Sequence, residues 1–176
     1  QNVDRLHQRA GSHKVIDLHG RLDRICCLHC GRKDKRSDFQ VWLEKANPNV
    51  TPFSRNVLPD GDADVVTTQM SEFVVPTCVD CAGPYMPEVV FYGGTVPRDR
   101  IEKIYTELDN SKALLIIGTS LMAYSVYQFC RAAVDRGLPI FAINNGKTRH
   151  DGRFDLKIEQ SCAEVLPQLS TLLRGV

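Results

Sequence analysis

Ala113-Leu114-Leu115-Ile116-Ile117-Gly118-Thr119-Ser120 is the stretch on which the fold turns. Five apolar residues run without a polar break and stop at a glycine followed by two hydroxyl side chains. Continuous apolarity over the length of a strand is the pattern of a strand buried on both faces of a parallel sheet. Downstream, residues 124–136 repeat at helical spacing, with Val126, Tyr127, Cys130, Ala133 and Val134 inward, and Gly137 stops the helix. Pro139-Ile140-Phe141-Ala142-Ile143 is a second buried strand, ending at Asn144-Asn145-Gly146. Residues 154–158 form a third, short one. Residues 162–173 close the chain as a helix with Val165, Leu166, Leu169 and Leu172 inward. Upstream, Ile101, Ile104, Tyr105 and Leu108 set a helix over 97–108. This order predicts a doubly wound α/β sheet with a right-handed crossover. Ligands of such sheets bind beyond the carboxyl ends of the strands. Gly118-Thr119-Ser120 and Asn144 stand at those ends, and small polar residues suit close approach to a nucleotide.

A second pattern lies upstream. Cys27-Leu28-His29-Cys30 and Cys78-Val79-Asp80-Cys81 bracket 47 intervening residues. Each C-x-x-C offers two thiolates on one turn, and two such turns supply the four soft ligands of a closed tetrahedral Zn²⁺ site. Iron in a Cys₄ site is the alternative the ligands leave open, zinc being the commoner occupant. Four cysteine ligands leave no position for a catalytic water, which argues against a zinc hydrolase.

Around these knuckles the reading is coarser. Residues 3–9 form a short helix closed by Gly11-Ser12, and Val15-Ile16-Asp17-Leu18 reads as a buried strand delivering His19 to its polar end, with Gly20 leaving room for a substrate. The charge run 32–36 reads as a solvated loop, and residues 39–46 as an amphipathic helix with Val41, Trp42 and Leu43 partly buried. Asn47-Pro48-Asn49, Pro52 and Pro59-Asp60-Gly61-Asp62 are turn material. Pro87-Glu88-Val89-Val90-Phe91-Tyr92-Gly93 leaves the second knuckle as an apolar run.

The bulk numbers narrow the class. A chain of 176 residues at 43% hydrophobic content can bury a real core. A formal net charge of +1 gives no basic field pointing to nucleic acid. No apolar run is long enough to span a bilayer, and no signal peptide is expected at the start. Seven cysteines, an odd set, point to a reducing compartment. Gln1 opens the chain without an initiator Met, so the chain reads as a fragment.

Taken together, Gln1-Asn2-Val3-Asp4-Arg5-Leu6-His7, Leu18-His19-Gly20, the two C-x-x-C pairs, Pro87-Glu88-Val89-Val90-Phe91-Tyr92-Gly93, Gly118-Thr119-Ser120-Leu121 and Ile143-Asn144 resemble the sirtuins, the NAD-dependent protein lysine deacylases. The resemblance runs through essentially the whole chain in the right order, and the 47-residue insert is most similar to the class II, mitochondrial-type branch. It implies that His19 is the general base, taking a proton from a ribose hydroxyl after nicotinamide has left. An imidazole with an ordinary pKa near 6.5 suits that role. It implies further that Gln1, Asn2 and Asp4 line the nicotinamide and ribose pocket. Gly118, Thr119 and Ser120 would meet NAD phosphate and ribose, Asn144 the adenosine ribose, and Cys162 the adenine region. The backbone of Val90 would pair with an acyl-lysine peptide by strand addition, and Tyr92 would wall the acyl-lysine tunnel. Cys27, Cys30, Cys78 and Cys81 would hold one structural zinc. Tyr92-Gly93-Gly94 departs from the family, where an acidic residue usually follows Phe-Gly. The family's glycine-rich phosphate loop and its Asp-Phe-Arg segment are expected ahead of Gln1, so these 176 residues would hold half an NAD site.

The expected whole is a partial Rossmann-like doubly wound parallel sheet with a small Cys₄ zinc-binding module. Residues 1–20 are expected on the Rossmann side with the catalytic His, 21–90 in the zinc module with its insert, and 91–176 in the rest of the NAD-binding domain. The expected activity is transfer of an acyl group from lysine to ADP-ribose with release of nicotinamide; the alternative is a zinc-stabilised binding module without turnover. Expected partners are an acyl-lysine protein or peptide, with no nucleic acid and no membrane. The protein is expected to be a monomer in the cytoplasm of a bacterium or the mitochondrial matrix of a eukaryote.

Overall fold

A computed structural model describes residues 1–50, 54–57, 63–65 and 70–175. Pro52 and Pro59-Asp60-Gly61-Asp62, expected as turns, lie outside the described residues. The chain divides into two compact units, Asn2–Gly94 and Thr95–Val176, the second including Gln1. This corrects the expected boundaries, because residues 2–20 belong with the cysteine knuckles rather than with the parallel sheet. The cause is local bonding. The Leu22 N–H donates to the Val3 carbonyl at 3.0 Å, and Asp17 holds both Arg5 and the Gln8 amide.

In the first unit the elements are α1 (Leu6–Arg9), β1 (Gly20–Cys27), β2 (Lys33–Lys35), α2 (Arg36–Ala46), β3 (Ser54–Val57), β4 (Ala63–Val65), a 3₁₀ turn (Met70–Glu72) and β5 (Tyr85–Val89). The Asp4 carboxylate accepts from the Leu6 N–H at 3.0 Å, satisfying one orphan donor of α1. Val15-Ile16-Asp17-Leu18, expected as a strand, is not one. Asp17 is occupied by Arg5 and Gln8, and its carbonyl accepts from the Gly20 N–H at 3.0 Å, so residues 17–20 form a turn. The strand begins at Gly20 instead.

β1 is the central strand of an antiparallel sheet ordered β2-β1-β5. Gly20 pairs with Val89 and Cys27 with Tyr85, with a register shift between Gly20 and Ile25. Gly20 sits at φ 89, and a Cβ there would lie 2.0 Å from the Glu88 carbonyl oxygen. The glycine is therefore required by the neighbouring strand, not to leave room for a substrate as the sequence suggested. Residues 33–35 of the expected solvated loop are strand, because they pair with Arg24, Ile25 and Cys26. On α2 it is Phe39 that is buried, edge-on to Trp42 and Tyr85 at 6.1 and 5.4 Å, while Val41, expected inward, is exposed. Asn47 ends the helix. Its amide donates to the carbonyls of Leu43 and Val74, and its oxygen accepts from the Val74 N–H, all at 2.7 to 2.8 Å.

The second unit contains α3 (Arg98–Asp109), β6 (Leu114–Ile117), α4 (Tyr124–Asp135), β7 (Ile140–Ile143), β8 (Leu156–Ile158) and α5 (Cys162–Arg174). Its three strands are parallel in the order β6-β7-β8, with Ile117 opposite Ile143 and Ile143 opposite Ile158. Ile116, Ile140, Ala142 and Ile143 pack with Val126, Tyr127, Phe129, Cys130 and Ala133 among the buried residues. One expectation fails here. Leu115, Phe141 and Leu156 are cross-strand neighbours that remain 46%, 36% and 56% exposed. Since side chains alternate along a strand, one face of the sheet is covered within these residues and the face carrying Leu115, Phe141 and Leu156 is not. Val134 and Leu172, expected inward, are exposed as well. A 12-residue helix is about 18 Å long whereas a four-residue strand spans about 13 Å, so the last helical turns outrun the sheet.

Candidate functional site

The four cysteine sulfurs of the two knuckles lie within 4.8 Å of one another. Cys27 and Cys81 are 3.5 Å apart and Cys30 and Cys78 3.6 Å. A tetrahedral zinc with Zn–S bonds of about 2.3 Å has sulfur–sulfur edges of about 3.8 Å, so these residues fit the ion. Backbone amides favour the thiolate at two of the four cysteines, Cys27 and Cys78, while at Cys30 and Cys81 they are outweighed by neighbouring thiols and by burial, which push the pKa up. Cys27 is brought below the ordinary thiol range by the amides of Cys30 and His29 against the opposing effect of burial. At Cys78 burial also opposes the charge, but the Asp80 and Cys81 amides prevail and its pKa falls to about 6. All four ligands are protein sulfurs, so the ion would hold the chain and leave no open position for chemistry.

A polar frame that the sequence reading did not find surrounds the knuckles. Arg32 donates to Asp80 at 2.9 and 3.0 Å and to Asp34 at 2.8 to 3.1 Å, bridging the second knuckle to β2. The Tyr85 hydroxyl donates to Asp34 at 2.5 Å. Arg32, then Tyr85, hold the Asp34 carboxyl below its ordinary range. The only sequence signal was the charge run at residues 32–36, with Asp34 set among four basic residues, which reads equally well as a solvated loop.

His19 and Val90 come together in the same unit. The Val90 N–H donates to the His19 carbonyl at 2.8 Å, extending the β1–β5 pairing by one step. That N–H is thus engaged within the chain. His19 is half-buried in the turn that precedes β1, and Tyr92 is exposed. Asn2 is exposed, and Asp4 serves α1 as described.

In the parallel-sheet unit the residues expected at the strand ends do converge. The Gly118 N–H donates to the Ile143 carbonyl at 3.0 Å, and that carbonyl also receives the Cys162 thiol at 3.4 Å. Gly118 sits at φ 60, and a Cβ there would be 3.6 Å from Cys162 Sγ. The Thr119 hydroxyl donates to the Gln1 side-chain oxygen at 3.2 Å and accepts from the Leu121 N–H at 3.3 Å. Asn144 is buried; its N–H donates to the Ile158 carbonyl at 3.1 Å and its side chain to the Gly146 carbonyl at 3.2 Å. Gly118, Thr119, Gln1, Asn144 and Cys162 are therefore held at one end of one sheet, while Ser120 stands exposed beside them. No helix among the described residues is long and apolar enough to cross a membrane.

Comparison with known proteins agrees with this geometry. The Sir2 family profile matches residues 1–125. An NAD-dependent protein deacetylase of Bordetella bronchiseptica is 48% identical over 169 residues, covering 96% of this chain and 62% of that protein. The human mitochondrial NAD-dependent protein lipoamidase sirtuin-4 is 40% identical over 167 residues, covering 95% of this chain and 53% of its own length. Among solved structures, a Sir2 complex with a p53 peptide and NAD+ superposes with a TM-score of 0.75 at 26% identity, over 100% of this chain and 62% of that one. The chain thus spans between about half and three fifths of the length of these relatives. With its paired dithiols, its parallel sheet and a family match covering residues 1–125, the chain belongs to the Sir2 family.

Proposed function

We propose that this protein is an NAD-dependent protein-lysine deacylase of the class II type, acting on an acyl-lysine peptide or protein. The observation that carries the reading is the 2.8 Å bond from the Val90 N–H to the His19 carbonyl, which fixes the candidate base beside the end of β5, where the substrate peptide is expected to pair. Relatives named as deacetylases, and a Sir2 structure described with peptide and NAD+, support it. When bound, NAD supplies the ribose carbon that takes up the acyl oxygen as nicotinamide leaves. Gly118 suits the dinucleotide, since its positive φ and missing side chain let a ligand approach the backbone. Thr119, Ser120 and Asn144 offer hydroxyl and amide groups, and Gln1, Asn2 and Asp4 polar groups for the nicotinamide ribose. His19 accepts the proton of a ribose hydroxyl. The backbone at Val90 pairs with the peptide by strand addition, and Tyr92 flanks the acyl-lysine. The zinc site keeps the two knuckles together and stays out of the chemistry. We infer a monomer working in a reducing compartment, bacterial cytoplasm or mitochondrial matrix; the odd count of seven cysteines supports the compartment.

The test is His19→Ala in the full-length gene product. Deacylation should fall by about 10² or more, the scale for removing a general base, with zinc content and melting temperature unchanged. Activity falling only in step with folded protein, or surviving near the wild-type rate, refutes the assignment.

A further inference from the structure

Arg149 lies on the segment between β7 and β8 and reaches back to the loop that leaves β6. Its main-chain N–H donates to the Ser120 carbonyl at 2.8 Å. Its guanidinium Nη1 donates to the Met122 carbonyl at 3.3 Å. The guanidinium carbon stands 4.5 Å from the centre of the Tyr127 ring, on the helix that this loop leads into.

The two carbonyls flank Leu121, which is 1% exposed and sits at φ 58. Left-handed backbone is unfavourable for leucine, whose Cβ crowds the following carbonyl, and it persists where the surroundings hold it. Burial of the side chain supplies one restraint. Arg149 supplies two more, one on each side of the unfavourable residue. The same geometry orients the Leu121 N–H toward the Thr119 hydroxyl at 3.3 Å, so the conformation at Leu121 sets the side chain of Thr119. Tyr127 is a firm base for the cation, being buried and edge-on to the His150 ring at 5.9 Å.

We propose that Arg149 is a positioning residue for the nucleotide end of the sheet. It touches no reacting group. It holds residues 120–122 so that Thr119 and Ser120 present their hydroxyls in fixed directions, and it ties the loop after β6 to the loop after β7, which carries Asn144. This inference rests on the dinucleotide reading given above.

The experiment compares wild type, Arg149→Ala, Arg149→Met and Arg149→Lys in the full-length gene product, measuring NAD affinity by calorimetry, thermal melting and amide hydrogen exchange. Arg149→Ala and Arg149→Met should weaken NAD binding about tenfold, the scale of one charge-assisted hydrogen bond. Arg149→Lys keeps a cation over Tyr127 and one donor for the Met122 carbonyl, and should recover most of that loss. In Arg149→Ala, exchange should accelerate at Leu121 and Met122 and stay unchanged in β7 and α5. The proposal is overturned if Arg149→Ala binds NAD within about twofold of wild type. It is overturned equally if exchange rises throughout the unit together with a fall in melting temperature, which marks a merely structural role. If the wild type binds no NAD, the dinucleotide reading fails and the ligand-positioning role fails with it. The exchange pattern at Leu121 and Met122 then separates that failure from the absence of the staple itself.

Discussion

Replacing Gly20 by alanine should be among the most damaging single-methyl changes this chain can suffer. Two effects add. At φ 89 any residue with a Cβ pays a backbone penalty of about 1 to 2 kcal/mol. The new methyl carbon would also stand 2.0 Å from the Glu88 carbonyl oxygen and 2.9 Å from Val89 Cα, both backbone atoms of β5. β5 must move away, which opens the Gly20–Val89 pairing and the adjoining Val90 to His19 bond. Overpacking of this kind costs about 1 to 3 kcal/mol, and each main-chain bond lost about 1 kcal/mol more. The expected total is about 4 to 7 kcal/mol. Gly11 provides the control, because it has φ 91 but nothing within 4 Å of its added Cβ. Gly11→Ala should cost only the backbone share, about 1 to 2 kcal/mol. Denaturant unfolding of the zinc-loaded proteins measures both. Gly20→Ala no more destabilising than Gly11→Ala would show that the close approach of β5 is not what demands the glycine.

Two further outcomes follow from the same structure. Cys78→Ser or Cys30→Ser should release about one zinc per chain and unfold the knuckles, since metal binding in such modules is worth roughly 10 to 16 kcal/mol; elemental analysis and melting curves check this, and retained zinc with an unchanged melting curve contradicts it. His150 should make stability depend on pH. It is 1% exposed, its two ring nitrogens have no hydrogen-bond partner among the described residues, and its ring packs edge-on to Tyr127 and Phe154 at 5.9 and 5.0 Å. Burial, then the charge of Arg153, lowers its pKa from the ordinary 6.5. As pH falls below 6.5 the unfolded chain takes up the proton first, so folded stability drops until the lowered native pKa is passed. His150→Phe should remove that slope at little cost near neutral pH, because no hydrogen bond is lost. Parallel denaturation series from pH 7.5 to about 5 test it, and identical slopes for the two proteins count against it.

What the sequence determined by itself were the features written in local spacing. Four thiols at C-x-x-C spacing declared the metal site before any geometry was known, because the ligands of each pair are neighbours on one turn. The run from Ala113 to Ser120, with its counterpart ending at Asn144, declared a parallel sheet with polar residues at its carboxyl ends, because a strand and its polar terminus are contiguous in the chain. Tertiary structure decided the rest, where the deciding group is distant in sequence. The turn at residues 17–20 replaced an expected strand because Arg5 and Gln8 take hold of Asp17. The short strand at 33–35 exists because β1 lies beside it, and Gly20 is needed because Glu88 approaches from 68 positions away. Hydrophobic pattern reports which residues avoid water, not which backbone will come near them. That nearness, set by the closing of sheets and ion pairs, is decided only when the whole chain has folded.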